Sequence, residues 1–358
     1  MTQSPTVGVV VVAYGDEPLL SECIHSALAS THVTVSVVVV DNGFQAPDRE
    51  VLESDPAITW IRPGANVGFT GGCNLGARAA DSDILVLLNS DAVVRPDALA
   101  ALVDALRDPT VGIATGKVLL YRDRNTVNSV GNPVHYSLLA WAGGWGAPAA
   151  DFVRTADVAS ASGCLLGIAR RDWEQLGGFH EELFAYGEDV EFSLRMWASG
   201  RRVVLAPQAV AFHDYEFSRN PTKMYLLERN RWINLLTIYQ RTTLLSAAAR
   251  HRDRGGRDAA HRAATGLAQA EVVRIPLARG STGTTLRHEE GGPVQSTRTL
   301  PDTELLRHLS TRIEPSEESG AQVPIGGQRS AVTGSGTSAW GRAGRRSRPS
   351  CRPARRVG

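Results

Sequence analysis

Short, almost continuously apolar runs recur through the first third of the sequence and set the strongest limit on its fold. The runs span residues 7–13, 37–40, 58–61 and 84–88. A strand that is apolar on both sides needs cover on both faces, which is typical of a mostly parallel sheet between two helical layers. Apolar residues at helical spacing in segments 19–28 and 99–106 supply such helices. We therefore predict an α/β fold with right-handed βαβ crossovers.

The rest of the chain divides into a mixed second half and a tail. The predicted elements are a strand at 111–120, a glycine-rich loop region to 150, an apolar stretch at 164–169, a helix at about 188–199 and strands at 203–205 and 210–212. Beyond about Arg241 the only aromatic residue is Trp340, and Arg, Gly, Ser and Thr dominate. We predict that residues 242–358 are largely disordered, most clearly 334–358. The basic run 342–356 is either an interaction arm or a solvated segment.

Composition excludes several classes of protein. The 38 basic and 37 acidic residues nearly balance, which gives no electrostatic reason to expect a nucleic-acid partner. No run reaches the roughly 18 apolar residues of a membrane helix, so we expect a cytoplasmic chain. Four dispersed cysteines predict buried free thiols and not a disulfide framework or a paired metal spacing. They are Cys23, Cys73, Cys164 and Cys351.

Polar residues follow the first two strands, where open α/β sheets place their ligand sites. Ala13 and Tyr14 leave the first strand, and Asp41 leaves the second. A carboxylate there can accept hydrogen bonds from a base or a ribose. An Asx-turn that closes the strand is the alternative for Asp41.

The glycine-rich segment 66–76 follows the third strand and opens a helix. Glycine lets a backbone approach a diphosphate or a sugar closely, which makes Asn66, Gly68 and Asn74 candidate donor-binding residues. A dinucleotide fingerprint would instead follow the first strand. An oxidoreductase of that type is therefore disfavoured.

The fourth strand ends abruptly in Asn89-Ser90-Asp91. Packing does not explain an acidic residue at the end of a wholly apolar strand. A hard cation such as Mg²⁺ or Mn²⁺, held by one carboxylate together with substrate phosphates and water, does explain it. The alternative, in which Asp91 caps the helix beginning near Pro96, places the cap several residues early.

Glu188 and Asp189 lie in the first turn of a predicted helix, after a loop that contains three glycines. Acidic residues suit a helix N-terminus whatever their function, and the positive end of the helix should keep Asp189 ionised. That alternative accounts for the charges but not for the glycines. Glu191 and Arg195 have the spacing of an ion pair on the helix surface.

In this order, the clusters between residues 7 and 218 resemble family 2 glycosyltransferases, particularly the rhamnosyltransferase-like branch. The resemblance implies a GT-A fold, a nucleotide-sugar donor, and inverting transfer to a hydroxyl of a cell-surface glycan or a lipid-linked precursor. The position that contacts the nucleotide corresponds to Asp41, with Ala13 and Tyr14 nearby. The metal aspartate corresponds to Asp91, and the usual Asp-x-Asp is replaced by the Asn89-Ser90-Asp91 segment.

The resemblance also assigns residues of the second half. The Glu-Asp pair of the family corresponds to Glu188 and Asp189, with Asp189 as the general base. His213 corresponds to a metal ligand, and a lone histidine in a structural role is the alternative. Further matches, beside the donor and acceptor pockets, are Ser162, Gly163, Cys164, Arg170 and Arg171.

These assignments predict a GT-A domain over residues 1–241, with a nucleotide-binding half at 7–110 and an acceptor half at 111–218. Peripheral association with the inner face of a membrane is left open, and the oligomeric state is not predicted. Two alternatives remain. A nucleotidyltransferase shares such a sheet but does not require the Glu188–Asp189 helix, and a shifted reading frame after about Leu245 would leave a non-catalytic nucleotide-binding remnant.

Overall fold

The computed structural model describes residues 5–46, 49–215, 222–245 and 296–313, and the backbone of 273–274 and 285–286. The described residues all lie within one compact unit, Met1–Glu318. The predictions for 334–358, for the basic run 342–356 and for Cys351 fall outside the described residues.

A ten-stranded sheet forms the centre of the molecule. Its strands are β1 (Thr6–Asp16), β2 (Thr34–Gln45), β3 (Ile58–Ile61), β4 (Ile84–Asn89), β5 (Ala92–Val94), β6 (Val111–Leu120), β7 (Val127–Ser129), β8 (Ala156–Asp157), β9 (Leu165–Ala169) and β10 (Arg202–His213). Eight follow the order β3-β2-β1-β4-β9-β6-β10-β5, while β7 pairs with β6 and β8 with β10. The two residues at 273–274 and those at 285–286 form a separate small pair, β11 and β12.

The first four strands in the sheet order are mutually parallel, as the apolar runs predict. Strand β9 is antiparallel to both of its neighbours, β4 and β6, so that β6 runs in the same direction as β4. Strand β10 is parallel to β6. The carboxyl ends of β1, β2, β4, β6 and β10 therefore meet at one edge of the sheet, which confirms an α/β fold of mixed strand direction.

Helices cover both faces of the sheet. They are α1 (Leu20–Leu28), α2 (Arg49–Ser54), α3 (Gly68–Ala79), α4 (Ala98–Leu106), α5 (Arg170–Leu176), α6 (Glu188–Ala198), α7 (Lys223–Ile238) and α8 (Asp302–Leu305). Val9 and Val11 of β1 belong to a core cluster with α1 and α4. Val10 and Val12 point to the opposite face and belong to a second cluster with α3 and α6. Burial on both faces explains why the strand is apolar without alternation.

The glycines of α3 serve the packing of this helix on the sheet. A Cβ atom on Gly72 would lie 2.8 Å from the Val12 side chain, and one on Gly76 would collide with Val10. The helix can approach β1 closely only because these side chains are absent. For Gly72 and Gly76, close helix–sheet packing therefore replaces the predicted approach to a diphosphate.

Residues 296–313, within the predicted tail, pack against the domain. Leu305 and Leu309 are buried in the second core cluster, and the His308 ring stacks on Trp197 with centroids 3.6 Å apart. Arg298 forms a 2.8 Å ion pair with Asp302, and both side chains are buried. The expectation of a tail without a core is wrong for this segment, because composition averaged over more than a hundred residues hides a short leucine-containing stretch.

The cysteine prediction is confirmed where it can be examined. Cys23, Cys73 and Cys164 are buried free thiols. Among the described residues, no helix has the length and apolar character needed to cross a membrane.

Candidate active site

The carboxyl ends of β1 and β2 carry the first candidate residues. Ala13 is fully buried, whereas 60% of the Tyr14 surface is exposed. Asp41 accepts hydrogen bonds from the amides of Gly43 at 2.8 Å and Phe44 at 3.3 Å, and it pairs with Arg49 at 2.6 Å. Burial opposes ionisation of Asp41, but the two amides and Arg49 outweigh it and lower its pKa. The Asx-turn that the sequence offered as an alternative is thus present.

Two residues of the glycine-rich segment, Asn66 and Gly68, lie at the start of α3. The exposed Asn66 accepts from the Gly68 amide at 2.8 Å. Gly68 adopts a φ of 76°, and a Cβ there would lie 2.5 Å from the Phe184 carbonyl oxygen. Gly68 is therefore needed for a close approach to another backbone segment.

Asn74 has a structural role in this fold. Its buried side-chain amide accepts from the Phe179 amide at 2.9 Å and donates to the Phe179 carbonyl at 2.9 Å and to Glu181 at 3.1 Å. Every hydrogen-bonding group of the Asn74 side chain is engaged by the segment that precedes α6. Because the Asn74 side chain connects two parts of the protein, Asn74 is not among the residues that we propose to bind the donor.

Asp91 and His213 meet at the carboxyl ends of β4 and β10. His213 Nε2 lies 3.0 Å from Asp91 Oδ1, and His213 Nδ1 lies 2.9 Å from Asn128 Oδ1. Burial disfavours the imidazolium, yet the Cys164 side chain and the Asp91 carboxylate raise the pKa of His213 well above its ordinary value. Helix α4 begins at Ala98, after Asp97, so Asp91 does not cap it and that alternative is wrong.

A buried carboxylate that the sequence did not single out stands beside Asp91. Glu17 Oε1 accepts from the Ser90 hydroxyl at 2.8 Å and from the Tyr14 amide at 3.3 Å. These bonds connect the loop after β1 to the Asn89-Ser90-Asp91 segment. Asn89 itself is held through its backbone, since its amide donates to the Cys164 carbonyl at 3.0 Å.

Asp189 is oriented by groups outside its own helix. Its Oδ2 accepts from the Gly163 amide and from the Asn132 side-chain amide, both at 3.2 Å. Its Oδ1 accepts from the Val190 amide at 2.8 Å. A residue that only caps the helix would make the last contact alone. The first two connect the carboxylate to the segments that follow β7 and β8.

The two adjacent carboxyls do not ionise independently. Glu188 is buried, and burial followed by the negative charge of Asp189 raises the pKa of Glu188 to about 8. Burial also raises the pKa of Asp189, although the Val190 and Gly163 amides oppose that effect. Desolvation thus opposes the effect expected of the positive helix end and makes Asp189 a stronger base than an exposed aspartate.

The segment Ser162-Gly163-Cys164 connects the two acidic sites. The Gly163 amide binds Asp189, while the Cys164 carbonyl binds Asn89. The Ser162 amide is fixed by the buried Thr115 hydroxyl at 3.1 Å. Two adjacent residues thus link the end of β4, which leads to Asp91, to the carboxylate of Asp189.

The predicted surface ion pair of α6 is buried. Glu191 and Arg195 are 0% and 1% exposed and lie 2.7 Å apart. Arg195 also donates to the carbonyls of Leu176 and Gly178. The i,i+4 spacing predicted the ion pair correctly. The predicted position at the surface is wrong, because the helix is covered on all sides. An enclosed pair of this kind fixes the helix against the turn before it.

Sequence reasoning missed the residues that orient the predicted ones. Asn128 and Asn132 lie in the region 121–150, which was predicted only as polar loop. Glu17 lies in the short segment that connects β1 to α1. Their only signal was an amide or acidic side chain near the end of a strand, a signal that many surface residues share.

Asp91 and His213 offer one carboxylate and one imidazole to a divalent cation. Among the described residues no three His, Cys, Asp or Glu side chains are grouped to hold a metal. One carboxylate oxygen and one imidazole nitrogen nevertheless converge at 3.0 Å, and the Asp91 side chain is 19% exposed. With Nδ1 hydrogen-bonded to Asn128, the Nε2 atom of a neutral His213 offers its lone pair on the Asp91 side. Two side chains suit a cation that takes its other ligands from phosphates and water.

Comparison with known proteins gives a family match across this region. The profile described as glycosyltransferase like family 2 matches residues 5–234. The O-antigen biosynthesis protein RfbC of Myxococcus xanthus is 31% identical over 226 residues, which cover 59% of this chain and 17% of RfbC. A mycobacterial protein, the N-acetylglucosaminyl-diphospho-decaprenol L-rhamnosyltransferase of Mycobacterium tuberculosis, is 25% identical over 68% of this chain and 84% of its own.

A solved structure shares the fold. The crystal structure of GalNAc-T7 with UDP, GalNAc and Mn²⁺ superposes with a TM-score of 0.51 at 19% identity. The match covers 62% of this chain and 46% of that one. At this identity the likeness concerns the fold, which is of the GT-A type.

Proposed function

Because the chain belongs to glycosyltransferase family 2, we propose that it transfers a sugar from a nucleoside-diphosphate donor to an acceptor hydroxyl in one inverting displacement. The observation that carries the proposal is the pair of hydrogen bonds from Gly163 and Asn132 to Asp189, since Gly163 immediately precedes Cys164, whose carbonyl binds the Asn89 amide near Asp91. A nucleotidyltransferase has no use for a carboxylate so positioned.

The donor binds, in this proposal, at the carboxyl ends of β1, β2 and β4. The exposed Tyr14 ring and the Asp41 carboxylate face the nucleotide, with the buried Ala13 forming the floor of that site. Asn66 and Asn89 lie at the same edge of the sheet and contact the donor. Arg49 keeps Asp41 ionised, which suits an acceptor of hydrogen bonds from a base or a ribose.

Asp91 and His213 hold a divalent cation in this proposal. When bound, the cation offsets the negative charge that builds on the departing diphosphate. Asn128 orients the His213 ring, and the Glu17–Ser90 hydrogen bond fixes the Asp91 segment. The mixed oxygen and nitrogen donor set favours Mn²⁺ over Mg²⁺, whose ligands are almost all oxygen atoms.

Asp189 acts as the general base. Its carboxylate takes the proton of the acceptor hydroxyl while that oxygen attacks the anomeric carbon, and the nucleoside diphosphate leaves with the bonding electrons. Burial raises the pKa of Asp189 and so increases its basicity. Burial and the negative charge of Asp189 raise the pKa of Glu188 to about 8, which disfavours a second negative charge beside the base.

The rhamnosyltransferase relative supports a finer proposal. We infer a deoxythymidine-diphosphate rhamnose donor and an acceptor that is a cell-surface glycan or its lipid-linked precursor, with the reaction at the inner face of the cytoplasmic membrane. The support is the name of a protein that is 25% identical over 84% of its length. A hydrolysis screen across UDP-, dTDP- and GDP-sugars, read as release of nucleoside diphosphate, distinguishes the donors.

The variant Asp189→Asn tests the mechanism. A general base contributes about 10²–10⁴-fold, so turnover of the donor should fall by that factor while affinity for the nucleoside diphosphate persists. Asp157→Asn, which removes a half-exposed carboxylate of β8, is the matched control and should turn over normally. Near-normal turnover in Asp189→Asn removes this residue from the mechanism. A product that keeps the anomeric configuration of the donor contradicts a single displacement.

A further inference from the structure

The loop before α6 has a backbone that few sequences adopt unaided. We call residues 182–187 the base loop, because it leads directly to Glu188 and Asp189. Phe184 has φ 63° and ψ −61°, and the Ala185 amide donates to the Leu183 carbonyl at 2.7 Å, which is the geometry of a γ-turn of positive φ. Tyr186 also has a positive φ, of 69°. Non-glycine residues in such conformations each cost about 1–3 kcal/mol and persist only where the surroundings impose them.

Helix α7 supplies much of that constraint. The fully buried Asn230 directs its side-chain amide at three carbonyl oxygens, at 2.8 Å, 2.8 Å and 2.6 Å. These carbonyls belong to Leu183, Ala185 and Tyr186. One turn further along the helix, the Asn234 amide donates to the Gly187 carbonyl at 2.9 Å.

Further hydrogen-bond donors contact the first half of the base loop. Arg229 donates to the carbonyls of Glu182 and Leu183, at 2.9 Å and 2.8 Å. From the opposite side, the Thr70 amide of α3 donates to the Phe184 carbonyl at 3.1 Å. Every carbonyl from 182 to 187 thus accepts a hydrogen bond from α3 or α7.

We propose that Asn230, assisted by Asn234 and Arg229, is a positioning residue for catalysis: it sets the base loop, and through it the place of Asp189 relative to Gly163 and Asn132. This inference rests on the proposed function. The Asp189 hydrogen bonds to Gly163 and Asn132 are long, at 3.2 Å, so a small shift of the α6 N-terminus breaks them. A misplacement of about 1 Å at a reacting group can cost about 10²-fold in rate.

The test compares Asn230→Ala with the matched control Glu228→Gln. Glu228 is an exposed residue of the same helix that pairs with Arg231 and accepts from the Trp232 indole, both on its own helix. Steady-state hydrolysis of the donor found by the nucleotide-sugar screen is measured together with amide hydrogen exchange over residues 182–190. We expect kcat to fall about 10–100-fold in Asn230→Ala, donor KM to stay within about twofold, and exchange in the base loop to rise. The control should match the wild type in all three measurements.

A stabilising role alone predicts a lower unfolding midpoint with unchanged kcat well below that midpoint, and this result overturns the proposal. A kcat loss without faster exchange also overturns it. If Asn230→Ala does not fold, Asn234→Ala removes one carbonyl contact in place of three and should show a smaller kcat loss in the same direction; unchanged kcat there overturns the proposal. A wild-type chain that turns over no donor refutes the proposed function. The hold of Asn230 on the base loop is then tested by the hydrogen exchange of residues 182–190 alone.

Discussion

Replacing Leu305 with alanine tests whether residues 296–313 are part of the folded domain. Leu305 is 1% exposed and lies in the same core cluster as Trp197 and Tyr239. A buried Leu→Ala change costs about 2–5 kcal/mol, depending on how far the site collapses. Because α8 is only four residues long, its neighbours can relax, and we expect about 2–3 kcal/mol.

A second limit on the cost is local detachment. If the segment separates from the domain before the domain unfolds, the loss measured at the main transition cannot exceed the free energy that holds the segment in place. Urea unfolding should therefore be followed by tryptophan fluorescence, since Trp197 stacks on His308 and reports on the segment. An early transition confined to fluorescence, ahead of the loss of helical circular dichroism, identifies detachment.

The matched control is Arg307→Ala, two residues from Leu305, whose side chain is 72% exposed. Such surface changes stay within about 0.5 kcal/mol of the wild type. If Leu305→Ala unfolds at the wild-type midpoint by both signals, the packing of 296–313 is wrong. The prediction of a shifted reading frame after about Leu245 would then regain its support, because nothing beyond that point would contribute to the core.

The remaining predictions concern pH and metal. Between about pH 5 and 8 the folded chain keeps a proton on Glu188 that the unfolded chain has released, so stability is highest at the acid end and falls as pH rises through the folded pKa of about 8. The slope of the free energy of unfolding against pH approaches about 1.4 kcal/mol per pH unit at most. Glu188→Gln should flatten this slope, as measured by urea midpoints across the range. Equal slopes in both proteins contradict the raised pKa of Glu188. Asn128→Ala releases the His213 ring and should weaken Mn²⁺ binding about 10–100-fold in titration calorimetry, whereas unchanged affinity removes Asn128 from that site.

The parts of this fold that follow from local pattern were predictable. Residues 7–13 and 84–88 are apolar on both faces because helices cover both, and the polar residues that end them lie at the shared edge of the sheet. Asp91 was identified for that reason. The helix that carries Asp189 was predicted from the same kind of periodicity.

What the sequence withheld depends on contacts between distant segments. Nothing local distinguishes Asn128 or Asn132 from the other asparagines of the sequence, although one orients His213 and the other Asp189. The spacing of Glu191 and Arg195 predicts a pair but not its burial, since burial depends on how other elements cover α6. Asn74 looked like a ligand for donor atoms because a glycine-rich loop suggests one, yet the segment before α6 engages its side chain.

The contacts of the base loop with α7 also fix an order of assembly. Asn230 binds carbonyls 44 to 47 residues earlier in the chain, so the loop acquires its final shape only after synthesis has passed α7. Strands β1, β2 and β3 emerge long before that point, and their pairing does not require α7. During synthesis, therefore, β1 to β3 can pair while the base loop is still incomplete. If the proposed function holds, a nascent chain acquires part of its donor site earlier than the base that consumes the donor.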